Sequence, residues 1–170
     1  MVIGVITARK NSKGLVRKNM ADLGGKPLVA HTFEVAQACG MLDRIFLSTD
    51  MEDAADVARQ YSRIEVPFLR PPHLCHDATD QVEVVGHLLD FVQAQGNLRP
   101  EVVVLLQPTS PFRTVAEVDG AIALFKKKKL RSLLGVAPVM HHPADYLYRE
   151  SVGANQFHWV MKSKKWRRRQ

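Results

Sequence analysis

Cysteine is scarce, with only Cys39 and Cys75 in 170 residues. Two thiols cannot build a disulfide framework. The chain must therefore rest on a packed core, which a single domain of this length can supply. Long apolar runs are missing as well. No stretch approaches the ~20 consecutive apolar residues of a membrane span. The opening "MVIGVITARK" has no basic segment ahead of its apolar run, so it does not read as an export signal. The cytoplasm is the expected compartment. Several familiar motifs are also absent. There is no Walker A loop, no G-x-G-x-x-G, no G-x-S-x-G elbow and no H-E-x-x-H. ATPase, dinucleotide-binding, serine-hydrolase and zinc-protease readings all lose support.

Acid is missing from one place in particular. The last nine residues, "KSKKWRRRQ", carry six cations and no carboxylate side chain. Without those charges the formal net charge falls from +7 to +1. The body of the protein is nearly neutral, so the basic balance gives little support for nucleic-acid binding. The tail, 151–170, reads as a short flexible segment after a main domain over 1–150. The run Lys126–Lys129 closes a helical pattern, where cations suit the negative end of the helix dipole.

What is present is an alternation of strand-like and helix-period segments. Val2–Ile6, Arg44–Ser48, Glu65–Leu69, Val102–Leu106 and Leu133–Val139 read as strands. Helices are expected over Leu28–Cys39 (ended by Gly40), over Asp53–Tyr61, and over Asp80–Val92 with Val82, Val85, Leu89 and Val92 on one face. A further helix is striped by Val118, Ile122 and Phe125. "VVVLL" is wholly apolar, the mark of a parallel strand covered on both faces. This order predicts an α/β fold: a three-layer, mostly parallel, Rossmann-like sheet with helices on both faces. Gly153 and Asn155 suggest a turn between two short strands near the end.

Parallel sheets of this kind bind ligands beyond the carboxyl ends of their strands. Four loops therefore matter. The first, "TARKNSKGLVRKN", brings Arg9, Lys10, Lys13, Arg17 and Lys18, with Ser12 and Gly14 letting backbone amides approach. Such a loop is either simply solvated or holds phosphate oxygens by charge-assisted bonds. The second, "STDMED", offers Asp50, Glu52 and Asp53 either as Mg²⁺ ligands or, the favoured reading, with Asp50 as a helix cap and the other two at the helix's positive end. In "LRPPHLCHDATD", Arg70 is a binding candidate and Asp80 or Thr79 a cap. Cys75 beside His73 and His76 lacks paired Cys-x-x-Cys spacing, so a metal site there is disfavoured. The fourth loop, "LLQPTSPFR", presents Gln107, Thr109, Ser110 and Arg113 on a backbone stiffened by Pro108 and Pro111. His141 and His142 in "MHHPAD" could line a pocket or the surface. Read from residues alone, this is an α/β protein that binds a phosphate-bearing ligand above its sheet.

Taken together and in order, "ARKNSKGLVRKN", "LSTD", "LRPPHLCHD", "VVVLLQPTSPFR" and "HHP" resemble the acylneuraminate cytidylyltransferases, the CMP-sialic acid synthetases, from about Val2 to Pro143. The resemblance implies a Rossmann-like nucleotidyltransferase that joins CTP to a sialic-type 2-keto sugar acid and releases pyrophosphate, with Mg²⁺ as cofactor. It implies that Arg9 and Lys13 act in catalysis and that Arg9, Lys13 and Lys18 hold the triphosphate. Asn19 would contact ribose or phosphate. Arg70 and the segment from Asp77 through Thr79 to Gln81 would lie along the cytosine. Gln107 would stand between nucleotide and sugar acid, with Ser110 and Arg113 shaping the loop. Val16 and Asp80–Gln81 depart from the family pattern. The family's metal-binding Asp-x-Asp, and the continuation that carries its dimer arm, do not occur in this sequence. A homodimer and the metal ligands are accordingly left open. The alternatives are a non-catalytic nucleotide-binding module from a truncated or frameshifted family member, or an enzyme for legionaminate, pseudaminate or another keto-sugar acid.

Overall fold

The computed structural model describes residues 1–11, 14–96, 99–136, 148–150 and 157–159. The chain forms two compact units, Met1–Arg131 and Ser132–Gln170. In the first, β1 (Val2–Ala8), β2 (Arg44–Thr49), β3 (Ile64–Glu65) and β4 (Val102–Leu105) make one parallel sheet in the order β3-β2-β1-β4. Between them run α1 (Leu28–Ala38), α2 (Glu52–Arg59) and α3 (Gln81–Gly96), and α4 (Val115–Lys128) follows β4. In the second unit, β5 (Tyr148–Glu150) pairs antiparallel with β6 (Phe157–Trp159), the two short strands expected around Gly153 and Asn155.

Alternation along the strands divides the core in two. Val2, Ile6, Ala8, Ile45 and Leu47 pack against α1, α2 and α4 through Val29, Phe33, Ala54, Ala58, Val118 and Ile122. Ile3, Val5 and Phe46 point the other way, onto Leu88 and Val92 of α3. Helices therefore lie on both faces, as the sequence predicts.

Helix ends show what stops and starts each element. Arg63 donates from Nη1 to the carbonyls of Gln37 and Cys39, at 2.6 and 2.9 Å, and from Nη2 to that of Leu42. One guanidinium thus satisfies carbonyls at and just beyond the end of α1. Asp119 of α4 accepts the amides of Gly40 and Met41 at 3.2 Å each. Cys39 is fully buried there, as expected, and burial, reinforced by the neighbouring Asp119 carboxylate, pushes its thiol up to about 11. α4 begins with a capping box in which Thr114 accepts the Glu117 amide and Glu117 accepts the Thr114 amide. Its last turn carries Lys126, Lys127 and Lys128, the expected cationic end.

Four expectations need correction. β4 is not covered on both faces. Among the described residues it is an edge strand of the sheet, α3 lies over β1 and β2, and Val103 and Leu105 remain 37% and 38% exposed. The buried stripe of α3 is Val84, Leu88 and Val92, while Val82 is 75% exposed. Two overlapping apolar stripes fit this helix's composition, and the position of β1 and Phe46 selects between them. The third strand is only two residues long, with a separate parallel bridge from Thr49 to Leu69, because Pro67 interrupts the amide ladder. The described part of the fifth expected strand, Leu133–Val136, is not a strand: no partner pairs with it among the described residues.

Candidate functional site

The α3 face of the sheet changes character along its strands. β1 runs Ile3, Val5, Thr7, and β2 runs Phe46, Ser48. Apolar side chains at the amino ends give way to hydroxyls at the carboxyl ends. Above those hydroxyls opens a cleft of about 170 Å³, lined by Thr7, Arg9, Lys18, Asn19, Arg70, Gln81, Gln107, Pro108 and Thr109. The loops that follow β1 and β4, the segment after β3 and the start of α3 all contribute. Six residues to which the resemblance assigns a role meet in this lining, Arg9, Lys18, Asn19, Arg70, Gln81 and Gln107, together with Pro108 and Thr109 of the fourth loop.

Arg9, Asn19, Arg70 and Gln81 are each held by a side-chain interaction within the protein. Arg70 is 6% exposed; its Nε donates to Ser48 Oγ at 3.1 Å, its Nη2 to the Ser48 carbonyl, and its amide to the Thr49 carbonyl at 2.6 Å. A buried cation needs such partners. Burial lowers its pKa, partly offset by Cys75 and Asp50 nearby. Arg70 thus forms the floor of the cleft, with part of its donor set consumed by β2. Gln81, the first residue of α3, donates from Nε2 to Thr7 Oγ1 at 2.8 Å, tying α3 to the end of β1. Its helix is started by Asp80, whose carboxylate accepts the Val82 amide at 3.1 Å, as expected.

The described residues of the basic loop are anchored at both ends. Asn19 is 6% exposed, and its Nδ2 donates to the Arg9 carbonyl at 3.1 Å. Lys18 opens a 3-10 turn over Lys18–Met20. Arg17, in the left-handed region at φ 53°, pairs with Asp53 at the start of α2. Arg9 itself meets Asp77, with 2.6 Å between Nη2 and the carboxylate, both groups about one-third exposed. Asp77 and Thr79 stand beside the cleft and do not line it. Ser12, Lys13, His141, His142 and the basic tail fall outside the described residues.

Asp50 corrects another expectation. It does not cap α2, whose N-cap, Met51, is served by Thr49 Oγ1 accepting the Met51 amide at 3.1 Å. The Asp50 carboxylate instead accepts the Lys10 amide at 2.7 Å. Glu52 and Asp53 do occupy the first turn of α2, at its positive end. The Cys75 thiol donates to the Pro71 carbonyl at 3.2 Å.

On the far side of the cleft, Gln107 is exposed. Its carbonyl accepts from Arg113 Nη2 at 2.6 Å and from the Ser110 amide at 3.3 Å. Arg113 and Ser110 therefore shape the loop, as expected, and leave the Gln107 side chain at the cleft.

Thr7 was not singled out as a site residue from the sequence. Its signal is the period of two along β1, which puts it on the Ile3–Val5 face at the carboxyl end. Ser48 carries the same signal along β2 but is fully buried, and it supports Arg70 without lining the cleft. Among the described residues no cluster of three or more His, Cys, Asp or Glu side chains is arranged to hold a metal ion. Asp50 and Asp77 are engaged by the Lys10 amide and by Arg9.

A polar, cation-bearing cleft at the carboxyl edge of a parallel sheet is a place for a phosphate-bearing ligand. The sequence family model described as "Cytidylyltransferase" matches residues 3–155. A CMP-N,N'-diacetyllegionaminic acid synthase of Legionella pneumophila is 39% identical over 143 residues, covering 84% of this chain and 60% of that protein. An N-acylneuraminate cytidylyltransferase of Escherichia coli is 35% identical over 125 residues, covering 74% of this chain and 28% of the relative. The chain thus spans less than two thirds of the length of these relatives. Among solved structures, a CMP:2-keto-3-deoxy-manno-octonic acid synthetase complexed with CTP superposes with a TM-score of 0.60 at 17% identity, over 75% of this chain and 48% of the other, a likeness of fold. The family match extends from β1 through the loops that build the cleft and on past them, and on that footing the chain belongs to the cytidylyltransferase family.

Proposed function

We propose that this chain carries the nucleotide site of a cytidylyltransferase that joins CTP to a sialic-type 2-keto sugar acid. The sugar's anomeric hydroxyl attacks the α-phosphorus and gives up its proton to solvent. A new P–O bond forms, the bond from the α-phosphorus to the bridging oxygen breaks, and pyrophosphate departs with the negative charge. No covalent bond to the protein is required, so the protein's part is positioning and electrostatic stabilisation. Arg9 and Lys18, with Lys13 from the same loop, oppose the charge of the triphosphate and of the leaving pyrophosphate. Asn19 serves the nucleotide by keeping that loop in place. Gln81, Thr79 and Asp77 border the cytosine, and Arg70 supports them from below. Gln107 faces the boundary between nucleotide and sugar acid.

Mg²⁺ belongs to this proposal as an ion that arrives with CTP. The described residues do not form a carboxylate site for it, so no step is assigned to it. A cytoplasmic location fits this chemistry, and no helix among the described residues is long and apolar enough to cross a membrane.

One observation carries the reading: six residues picked from three separated stretches line a single cleft in a chain of this family. Calorimetry with CTP, UTP and ATP tests it. CTP should bind at least tenfold more tightly than the other two. Equal affinity for all three, or no CTP binding, would overturn it. Pyrophosphate release with N-acetylneuraminate, legionaminate and pseudaminate then assigns the sugar acid.

A further inference from the structure

Two contacts described above meet on one peptide group. The Arg9 carbonyl accepts from Asn19 Nδ2 at 3.1 Å, and the Lys10 amide donates to Asp50 Oδ1 at 2.7 Å. The carbonyl of residue 9 and the amide of residue 10 belong to the same planar unit, and in a trans peptide they point in opposite directions. Among the described residues every peptide bond is trans. The unit is therefore gripped from both sides. One grip comes from the 3-10 turn that ends the basic loop, the other from the residue after β2. The neighbouring register supports this, since Ala8 of β1 lies opposite Thr49 of β2 and the two chains leave the sheet side by side.

We propose that Asp50 and Asn19 are positioning residues that form a two-sided clamp on the 9–10 peptide and so set the direction in which Arg9 enters the cleft. This rests on the nucleotide reading only for its functional consequence. Without the clamp the first residue beyond β1 would be free to rotate about its backbone dihedrals, and a long side chain at that point would sweep the cleft mouth. With it, Arg9 starts from a fixed origin, which lowers the ordering cost when its guanidinium takes up a phosphate. Asp50 needs only an acceptor oxygen for this task. Asn19 needs only a donor.

That difference makes the clamp separable from a metal-ligand or purely electrostatic role. Asp50→Asn keeps an acceptor and removes the charge, whereas Asp50→Ala removes both. CTP affinity should fall at least tenfold in Asp50→Ala and stay within about threefold of wild type in Asp50→Asn. Asn19→Asp, which turns a donor toward the Arg9 carbonyl into an acceptor, should lose at least as much as Asp50→Ala. In an Arg9→Ala background, Asp50→Ala should cost less than twofold, because the side chain it aims is gone. If Asp50→Asn is as damaging as Asp50→Ala, or the Arg9 and Asp50 effects are fully additive, the clamp is wrong. Hydrogen exchange of the Lys10 amide in the ligand-free protein gives a second measurement. Its protection should survive Asp50→Asn and vanish in Asp50→Ala, with far-ultraviolet dichroism unchanged. A wild type that ignores CTP would overturn the nucleotide reading, while unprotected Lys10 would overturn the clamp.

Discussion

The two faces of the sheet are made by the same strands and do different work. Toward α1, α2 and α4 the side chains stay apolar along most of the length, from Val2 through Ile6 to Ala8 and from Ile45 to Leu47. Toward α3 they are apolar only at the amino ends, and Thr7 and Ser48 follow Val5 and Phe46. The first face can bury everything it has. The second must leave its carboxyl end open, because hydroxyls and a buried guanidinium need partners and a ligand needs access. Stability should therefore concentrate on one face and binding on the other.

The largest effect that would test this division is in the bigger core. Phe33 is fully buried and meets Tyr61 edge-on at 5.4 Å between ring centres. Phe33→Ala should cost about 3–5 kcal/mol of unfolding free energy, read by denaturant titration, while the folded fraction binds CTP as before. A comparable loss of CTP affinity would break the separation of the faces. Next comes Arg9→Ala, which should weaken CTP binding tenfold or more, ~1.4 kcal/mol, in calorimetry, and shift the denaturation midpoint little. Thr114→Ala removes the capping box of α4 and should lower stability by about 1 kcal/mol without altering CTP affinity. The smallest change is expected for Lys127→Ala in the last turn of α4. A few tenths of a kcal/mol of helix-dipole interaction would be lost, about 0.3–1 at most and screened by salt.

The sequence reveals the layers well because burial writes a period into it. The order of strands and helices, the polar loops and the two short late strands could all be read from spacing. Less legible was anything decided by a neighbour remote in the chain. Val82 and Val84 are equally apolar, and only the docking of α3 onto β1 and Phe46 determines which one is covered. The run Val102–Leu105 has the composition of a central strand, yet its place in the sheet depends on which strands pair with it. Asp50 reads as a cap because it precedes a helix, but the chain leaving β1 offers it an amide forty positions away. Thr7 and Gln81 are separated by 74 positions, and no local pattern joins them. For the site, the residue types were visible, whereas their internal partners were not. Arg70 and Asn19 look like free ligand contacts in sequence and prove to be engaged with Ser48 and with the Arg9 carbonyl.

The Arg9–Asp77 ion pair has a consequence for how salt and charge govern entry to the cleft. A loop with this many cations would ordinarily release several counterions when it meets a polyanion, and its affinity would fall steeply with ionic strength. Arg9 already has a tethered anion at 2.6 Å. A phosphate that takes its place exchanges one carboxylate for another anionic oxygen, and Asp77 gives up its contact with Arg9. The exchange favours ligands that bring more than one negative charge, since a single charge gains little over the carboxylate it displaces. It also shifts part of the salt response from the bound state to the free one, where added ions loosen the internal pair as they screen the incoming ligand.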